Sequence, residues 1–166
     1  MTIMAESLNG EGFTSPPGLG PWLAGAVAEH RFFPDEAVDG TIAGRLFQMV
    51  DEHSDRVALS GPFGRWTYAE FGDRVRAFAQ ALQRRLESEG PTPVALLITH
   101  DGPLVAAILG TIAAGNVVVV ADPMAPHEVT AHVLASSGAT LLVCDEANRA
   151  LAESHAVPTE DLDSLL

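Results

Sequence analysis

Six histidines are the side chains best suited to metal binding or proton transfer in this chain, but their spacing does not assemble a site. Metal ligands usually come as closely spaced His, Cys or carboxylate groups. His127 and His132 are five residues apart on one predicted helix, so they do not share a face as residues four apart would. We therefore expect surface or capping roles for the histidines and no metal site. The six are His30, His53, His100, His127, His132 and His155.

The sequence contains no pattern of a phosphate loop or of a serine nucleophile. A P-loop requires a Gly-Lys pair, and the chain has no lysine. Thr99–Gly102 follows a predicted strand and could offer backbone N–H groups to an anion at a helix start. The carboxylate of Asp101 would repel phosphate, so a polar connection with Asp101 or Gly102 near the helix cap is the simpler interpretation. Ser136-Ser137-Gly138 indicates a helix end instead of a nucleophile elbow. We expect no catalytic, cofactor-binding or metal-binding residue in this chain.

Charge and apolar content exclude several classes of partner. The net charge is −13, and all nine basic residues are arginines. A phosphate backbone or an anionic membrane surface attracts proteins with a basic face, so we expect neither nucleic acid nor membrane as a partner. No apolar run reaches the ~18 residues that span a bilayer. The first residues lack the pattern of a secretory signal, and we expect a cytoplasmic protein. The one cysteine, Cys144, ends an apolar run and is expected to be a buried structural thiol.

The 166 residues predict one domain or a piece of one, in three parts. Residues 1–38 are rich in Gly and Pro and form a predicted leader. Residues 39–156 carry the organised apolar pattern of a folded body. Residues 157–166 complete no element that the pattern can close, and we interpret them as a connection to a missing remainder.

The body begins with a predicted helix and a small hairpin. Thr41 can cap a helix that ends by His53 or Ser54 and places Ile42, Leu46, Met49 and Val50 on one face. Val57–Ser60 and Arg65–Thr67 flank a Gly/Pro turn, which predicts a β-hairpin. Thr67 and Glu70 have the spacing of a capping box. The helix after it is expected to end near Glu89–Gly90, and its apolar face is made of Phe71, Val75, Phe78, Leu82 and Leu86.

A strand–helix alternation fills the rest of the body and predicts an α/β fold of the form βαβαβα with parallel strands. The first two strands are apolar throughout, as in sheets whose two faces are both covered. Gly115 and Gly138 are expected to stop the helices before them. The predicted strands are Val94–Ile98, Val117–Ala121 and Thr140–Cys144, and the predicted helices are Pro103–Ala114, His127–Ser136 and Glu146–His155.

The organisation from Thr41 to Ala152 resembles the N-terminal portion of the adenylate-forming ligases, which comprise acyl-CoA synthetases, nonribosomal peptide synthetase adenylation domains and luciferases. Trp66–Phe71 is similar to the hydrophobic-Thr-Tyr-x-Glu-Leu signature of that superfamily, and Asp73–Leu82 is similar to the helix that follows it. Leu104–Pro123 resembles the Leu-Lys-Ala-Gly stretch with its strand, and Leu134–Asp145 the next helix, glycine and strand. Ala113 replaces the Lys common in peptide synthetase members. Val120 stands where a Pro usually follows the strand, and Val129 where an Arg often starts the next helix.

The resemblance implies an incomplete first subdomain of an enzyme that uses ATP and Mg²⁺ to activate a carboxylic or amino acid as its acyl-adenylate. The adenylate then passes to a thiol of CoA or of a carrier-protein phosphopantetheine. In that superfamily the phosphate loop, the adenine and ribose contacts and the catalytic Lys lie further along the chain. We therefore expect these 166 residues to be inactive alone and to need the remainder of the enzyme as a partner. Exposure of Val117–Val120 would leave the isolated chain only marginally stable.

Two other interpretations remain open. The chain is alternatively a noncatalytic interaction module derived from that subdomain, which pairs with a separate partner chain. A flavodoxin-like α/β binding domain fits the strand–helix alternation, but it explains neither the Trp66–Phe71 segment nor the leader.

Overall fold

The capped helix and the hairpin form as the sequence predicts. The structure is a computed structural model that describes residues 41–86, 90–99 and 101–166. Helix α1 spans Ile42–Glu52, and the side chain of Thr41 accepts a hydrogen bond from the Gly44 backbone N–H at 3.0 Å. Strands β1 (Val57–Gly61) and β2 (Gly64–Thr67) pair antiparallel. The predicted leader of residues 1–38 lies outside the described residues.

The capping box joins β2 directly to helix α2, which spans Tyr68–Arg85. The Thr67 hydroxyl accepts from the Glu70 backbone N–H at 3.2 Å, and the Glu70 carboxylate accepts from the Thr67 backbone N–H at 2.8 Å. The predicted helix end near Glu89–Gly90 is wrong. Leu86 leaves the helix with an extended backbone and packs its half-buried side chain against the core from there.

Four strands then form one parallel sheet in the order β4-β3-β5-β6. The predicted α/β fold is therefore confirmed. Gly115 and Gly138, which follow α3 and α4, both have positive φ, a conformation that glycine adopts without strain. The elements are β3 (Pro93–Leu97), α3 (Gly102–Ala113), β4 (Val117–Val120), α4 (His127–Ser137), β5 (Leu141–Cys144), α5 (Arg149–Glu153) and β6 (Thr159–Asp161), with 3-10 turns at Glu146–Asn148 and Leu162–Ser164.

Successive side chains of β3 and β5 point to opposite faces of the sheet. Those side chains are apolar on both faces, and helices cover both. Val94, Leu96 and Val143 belong to a cluster with α2 and α3 on one face. Ala95, Leu97 and Leu142 belong to a second cluster with α4 and α5 on the other. The crossing of α2 and α3 depends on Gly110, since a Cβ there would lie 2.8 Å from the Phe78 ring.

Three further expectations differ from the structure. Thr159–Leu166 was expected to complete no element, yet it supplies β6 and a 3-10 turn whose Leu162 is buried in the core. The single helix predicted over Glu146–His155 is divided into a 3-10 turn and the short α5. Within the described residues, strand β4 lies at the sheet edge and is not covered on both faces, since Val117 and Val120 are exposed. The expectation that Val117–Val120 is partly uncovered is confirmed.

Candidate functional site

The carboxyl ends of β3 and β5 meet where the direction of chain winding reverses. From β3 the chain passes through α3 to β4 on one side, and from β4 it returns through α4 to β5 on the other side of β3. Open α/β sheets bind ligands in the crevice that such a reversal creates outside the carboxyl ends of the strands. The fold therefore places the candidate functional site in this crevice.

Asp145, which follows β5, closes the crevice by binding the loop that follows β3. One carboxylate oxygen accepts from the Thr99 backbone N–H at 2.8 Å. The other accepts from the Asn148 backbone N–H at 3.1 Å and from the Asn148 side-chain amide at 2.6 Å. These bonds tie together two connections that are 46 residues apart in sequence. Asp145 thus acts as a clamp across the reversal point.

The two carboxylates nearest to the reversal point are perturbed in opposite directions. Burial acts to raise the pKa of Asp145, but the hydrogen bonds from Thr99 and Asn148 outweigh it and hold that pKa below its usual range. Asp101 lies at the N-cap of α3, where its side chain makes no capping hydrogen bond. Burial, together with the negative charge of Asp145, raises the pKa of Asp101. The surroundings thus favour the charged form of Asp145 and disfavour that of Asp101.

Carboxylates also mark the ends of the two outer strands. Asp122 follows β4, and its side chain accepts from the Met124 backbone N–H at 2.8 Å. Asp161 ends β6, accepts from the Asp163 backbone N–H at 2.8 Å and pairs with Arg149. Arg149 also pairs with Glu146 at 2.8 Å. Asp122 and Asp161 thus each fix the turn that follows their strand, and Asp161 also ties β6 to α5.

The residues of this edge do not fit a nucleoside triphosphate. The backbone N–H groups of Thr99 and Asn148 are of the kind that donates hydrogen bonds to phosphate, but both donate to Asp145 instead. A phosphate would also lie beside the Asp101 and Asp145 carboxylates, which repel it. Within the residues that the structure describes, no group of three or more His, Cys, Asp or Glu side chains is arranged to hold a metal ion. The arrangement positions loops, and we derive no chemical step from it.

The expected polar connection after β3 is confirmed, with Asp101 as N-cap and Gly102 as the first residue of α3. The Asp145 clamp was missed. Its signal was present in the sequence, because aspartates follow three apolar strands at Asp101, Asp122 and Asp145. Parallel strands place their carboxyl ends along one edge of a sheet, so these side chains could have been grouped.

A stacked pair of histidines lies on the α4 side of the sheet. The rings of His127 and His155 are 4.3 Å apart and inclined by 12°. The expectation of a surface or capping role is wrong for His155, which is only 9% exposed. Neither its Nε2 nor the buried hydroxyl of Thr130 has a hydrogen-bond partner within the described part of the chain. Burial and the nearby His127 lower the pKa of His155, which favours its neutral form. Of the other histidines, His30 and His100 lie outside the described residues.

The prediction for Cys144 is confirmed. It is fully buried at the end of β5, and burial raises the pKa of its thiol, which disfavours the reactive thiolate.

None of the helices in the described ranges combines the length and the apolar character needed to cross a membrane.

Comparison with known families identifies one that matches most of the chain. Residues 46–165 match the sequence model of the family described as AMP-binding enzyme. Among curated proteins, the chain is 34% identical to phosphinothricin tripeptide synthetase PhsC of Streptomyces viridochromogenes over 104 residues, which cover 62% of this chain and 9% of that protein. It is 33% identical to surfactin synthase subunit 2 of Bacillus subtilis over 111 residues, covering 65% and 3% respectively. The chain thus spans less than a tenth of these relatives.

Solved structures with the same fold extend well beyond this chain. The N-terminal subdomain of NpsA from Klebsiella oxytoca superimposes with a TM-score of 0.67 at 22% identity, over 75% of this chain and 31% of that one. O-succinylbenzoate coenzyme A synthetase (MenE) from Bacillus subtilis, solved in complex with AMP, gives a TM-score of 0.64 at 22% identity, over 72% and 31%. The chain corresponds to about a third of each.

Removal of the Asp145 clamp is expected to destabilise the fold. Asp145→Ala leaves the Thr99 and Asn148 N–H groups without their acceptor, and we expect a loss of about 1 to 3 kcal/mol in the free energy of unfolding. Asp122→Ala is the matched control, because among the described residues that carboxylate bonds only within its own exposed turn, and it should cost less than ~1 kcal/mol. Urea unfolding measures both. Equal losses for the two substitutions would contradict a clamp, because Asp145 would then contribute no more than a hydrogen bond within one turn.

The buried His155 is expected to make stability depend on pH. Because its folded-state pKa lies below the ordinary value of 6.5, the unfolded chain binds the proton more tightly, and stability is lost as the pH falls below that value. His155→Leu should flatten this loss between about pH 7 and about pH 5, measured as urea midpoints across the range. His132→Leu removes an exposed histidine of α4 and should retain the wild-type slope. An unchanged slope in His155→Leu would contradict the assignment.

Proposed function

This chain belongs to the AMP-binding enzyme family, and from that premise we propose that it forms the scaffold section of an ATP-dependent ligase. The complete enzyme activates a carboxylic or amino acid as its acyl-adenylate and transfers the acyl group to a thiol of CoA or of a carrier protein. These 166 residues contribute the sheet and helices against which the remaining sections assemble. Alone they do not catalyse adenylation.

The observation that carries this proposal is the chemistry of the sheet's carboxyl edge. Adenylation brings a carboxylate and a triphosphate together, so the negative charge that develops must meet preorganised cations or N–H donors. Here the edge carries Asp101, Asp122 and Asp145, and its best-placed N–H donors are already bonded to Asp145. The chain also has no lysine. Binding of ATP-Mg²⁺ is therefore assigned to sections of the enzyme outside these residues.

The relatives support both the class of reaction and the need for further sections. Two are named as peptide synthetases or synthases and one as a coenzyme A synthetase, which fits a carrier-protein thiol or CoA as acceptor. A further solved match is an artificial fusion of the NpsA adenylation domain to a peptidyl carrier protein. We therefore propose the remainder of the adenylating enzyme as the direct partner of this chain. We place that enzyme in the cytoplasm.

ATP–pyrophosphate exchange tests the proposal. The purified 166-residue chain, assayed with ATP, Mg²⁺ and a panel of aryl, fatty and amino acids, is expected to give background exchange only. MenE with O-succinylbenzoate serves as the positive control for the assay. Carboxylate-dependent exchange that purifies with this lysine-free chain and disappears on its unfolding would contradict the proposal.

A second candidate function is a noncatalytic interaction module that pairs with a separate chain, and the exposed valines of β4 favour it. The coding sequence after Leu166 distinguishes the two candidates. Continuation into a Gly-rich loop with Lys supports the ligase section, whereas a natural stop codon supports the module.

A further inference from the structure

Strand β4 has the composition of an interior strand but lies at an edge. Its four residues are all valine, and strands of parallel sheets have such continuous apolar runs when both faces are buried. Within the described residues β4 pairs only with β3. Val117 and Val120 are 48% and 46% exposed, on opposite faces of the sheet. An apolar edge of this kind is a template for pairing with another strand.

The backbone of β4 presents a regular set of hydrogen-bonding groups at this edge. The Val117 N–H donates to the Thr92 carbonyl at 3.0 Å, and the Ala121 N–H donates to the Leu96 carbonyl at 2.9 Å. Because backbone groups alternate in direction along a strand, those of Val118 and Val120 point away from β3. A strand that docks here would find two donors and two acceptors.

The opposite edge of the sheet has a different design. Strand β6 has only three residues, Thr159–Asp161, and two of them are acidic. Glu160 pairs with Arg85, and Asp161 pairs with Arg149. Short, charged edge strands are the usual protection against edge-to-edge association. The chain protects the β6 edge in this way and leaves the β4 edge without charge.

The sequence of β4 is complementary to itself. Four identical residues read the same in both directions, and no charged side chain occurs from Asn116 to Ala121. We propose that β4 pairs antiparallel with β4 of a second copy of this chain, about a twofold axis at Val119. The two sheets then join into one continuous sheet of eight strands, four from each copy.

This register satisfies the outward backbone groups and separates the carboxylates. Val118 lies opposite the partner's Val120 on each side of the axis, and each such pair exchanges two N–H···O bonds. Asp122 lies opposite the partner's Asn116, so the acidic residues that follow the two strands are kept apart. Antiparallel pairing therefore forms four backbone hydrogen bonds without placing like charges against each other.

Helix α3 is compatible with the same axis. A twofold perpendicular to the sheet puts both copies of α3 on one face. From Gly102 to Ala113 this helix carries no charged side chain, and Val105 is exposed. Helices that are apolar all round normally lie in a protein interior. The two copies of α3 can therefore approach each other without repulsion between charged side chains.

Sedimentation equilibrium tests the dimer with charge-matched variants. Wild type is expected to dimerise between about 1 and about 100 µM, because a one-strand interface is small and its affinity modest. Val120→Lys and, independently, Val117→Lys should weaken dimerisation at least about tenfold by placing a charge in the joined sheet. Val129→Lys is the control, since Val129 is 49% exposed on α4 and the substitution changes the net charge equally. Circular dichroism checks that each variant is folded.

Hydrogen exchange gives a second readout on the wild-type chain. Protection of the Val118 and Val120 amides should rise with protein concentration in step with the dimer. A monomer throughout the range would overturn the proposal, and so would equal dissociation constants for Val120→Lys and Val129→Lys. Concentration-independent protection of these two amides would also overturn it, since another segment would then cover the edge. None of these outcomes depends on adenylation activity.

Discussion

Burial of β3 on both faces is the constraint on which the rest of this structure depends. Val94, Ala95, Leu96 and Leu97 have no exposed surface. Full burial of a Val or Leu side chain contributes about 1.5 to 3 kcal/mol. Because successive residues of β3 point to opposite faces, all four are buried only if both faces of the strand are covered. Helices α2 and α3 must therefore pack on one face and α4 and α5 on the other. The close approach of α2 to Gly110 of α3 follows from the same requirement.

The sequence was sufficient to predict the elements that local chemistry determines. The Thr41 cap, the Thr67–Glu70 box and the hairpin depend on residues close together in the chain, and the structure confirms each of them. The parallel sheet is also confirmed, because apolar strands that alternate with helices follow a general rule of connection. Two of the errors are local: α2 ends at Arg85, and Glu146–His155 is divided into a 3-10 turn and α5. The other errors depend on contacts between distant residues. Residues Thr159–Asp161 have no apolar pattern, and they form a strand because the edge of β5 is available to pair with them. The clamp at Asp145 and the burial of His155 likewise arise only when separate connections meet.

The candidate site shows how a sheet edge can serve structure in place of chemistry. In many α/β proteins the carboxyl ends of the strands hold a ligand. Here Asp122, Asp145 and Asp161 accept hydrogen bonds from their own connections, and Asp145 joins two of them. The absence of lysine from the sequence agrees with this use of the edge.

Native-state hydrogen exchange on the purified chain measures the central constraint most directly. If two-sided burial of β3 holds the fold together, the amides of Val94–Leu97 and Leu141–Cys144 exchange most slowly, with free energies of opening that equal the global free energy of unfolding. The amides of α1 and β6 then open at lower free energy. Exchange of the β3 amides at the rate of those in α1 or β6, under conditions where the chain remains folded, would contradict the account.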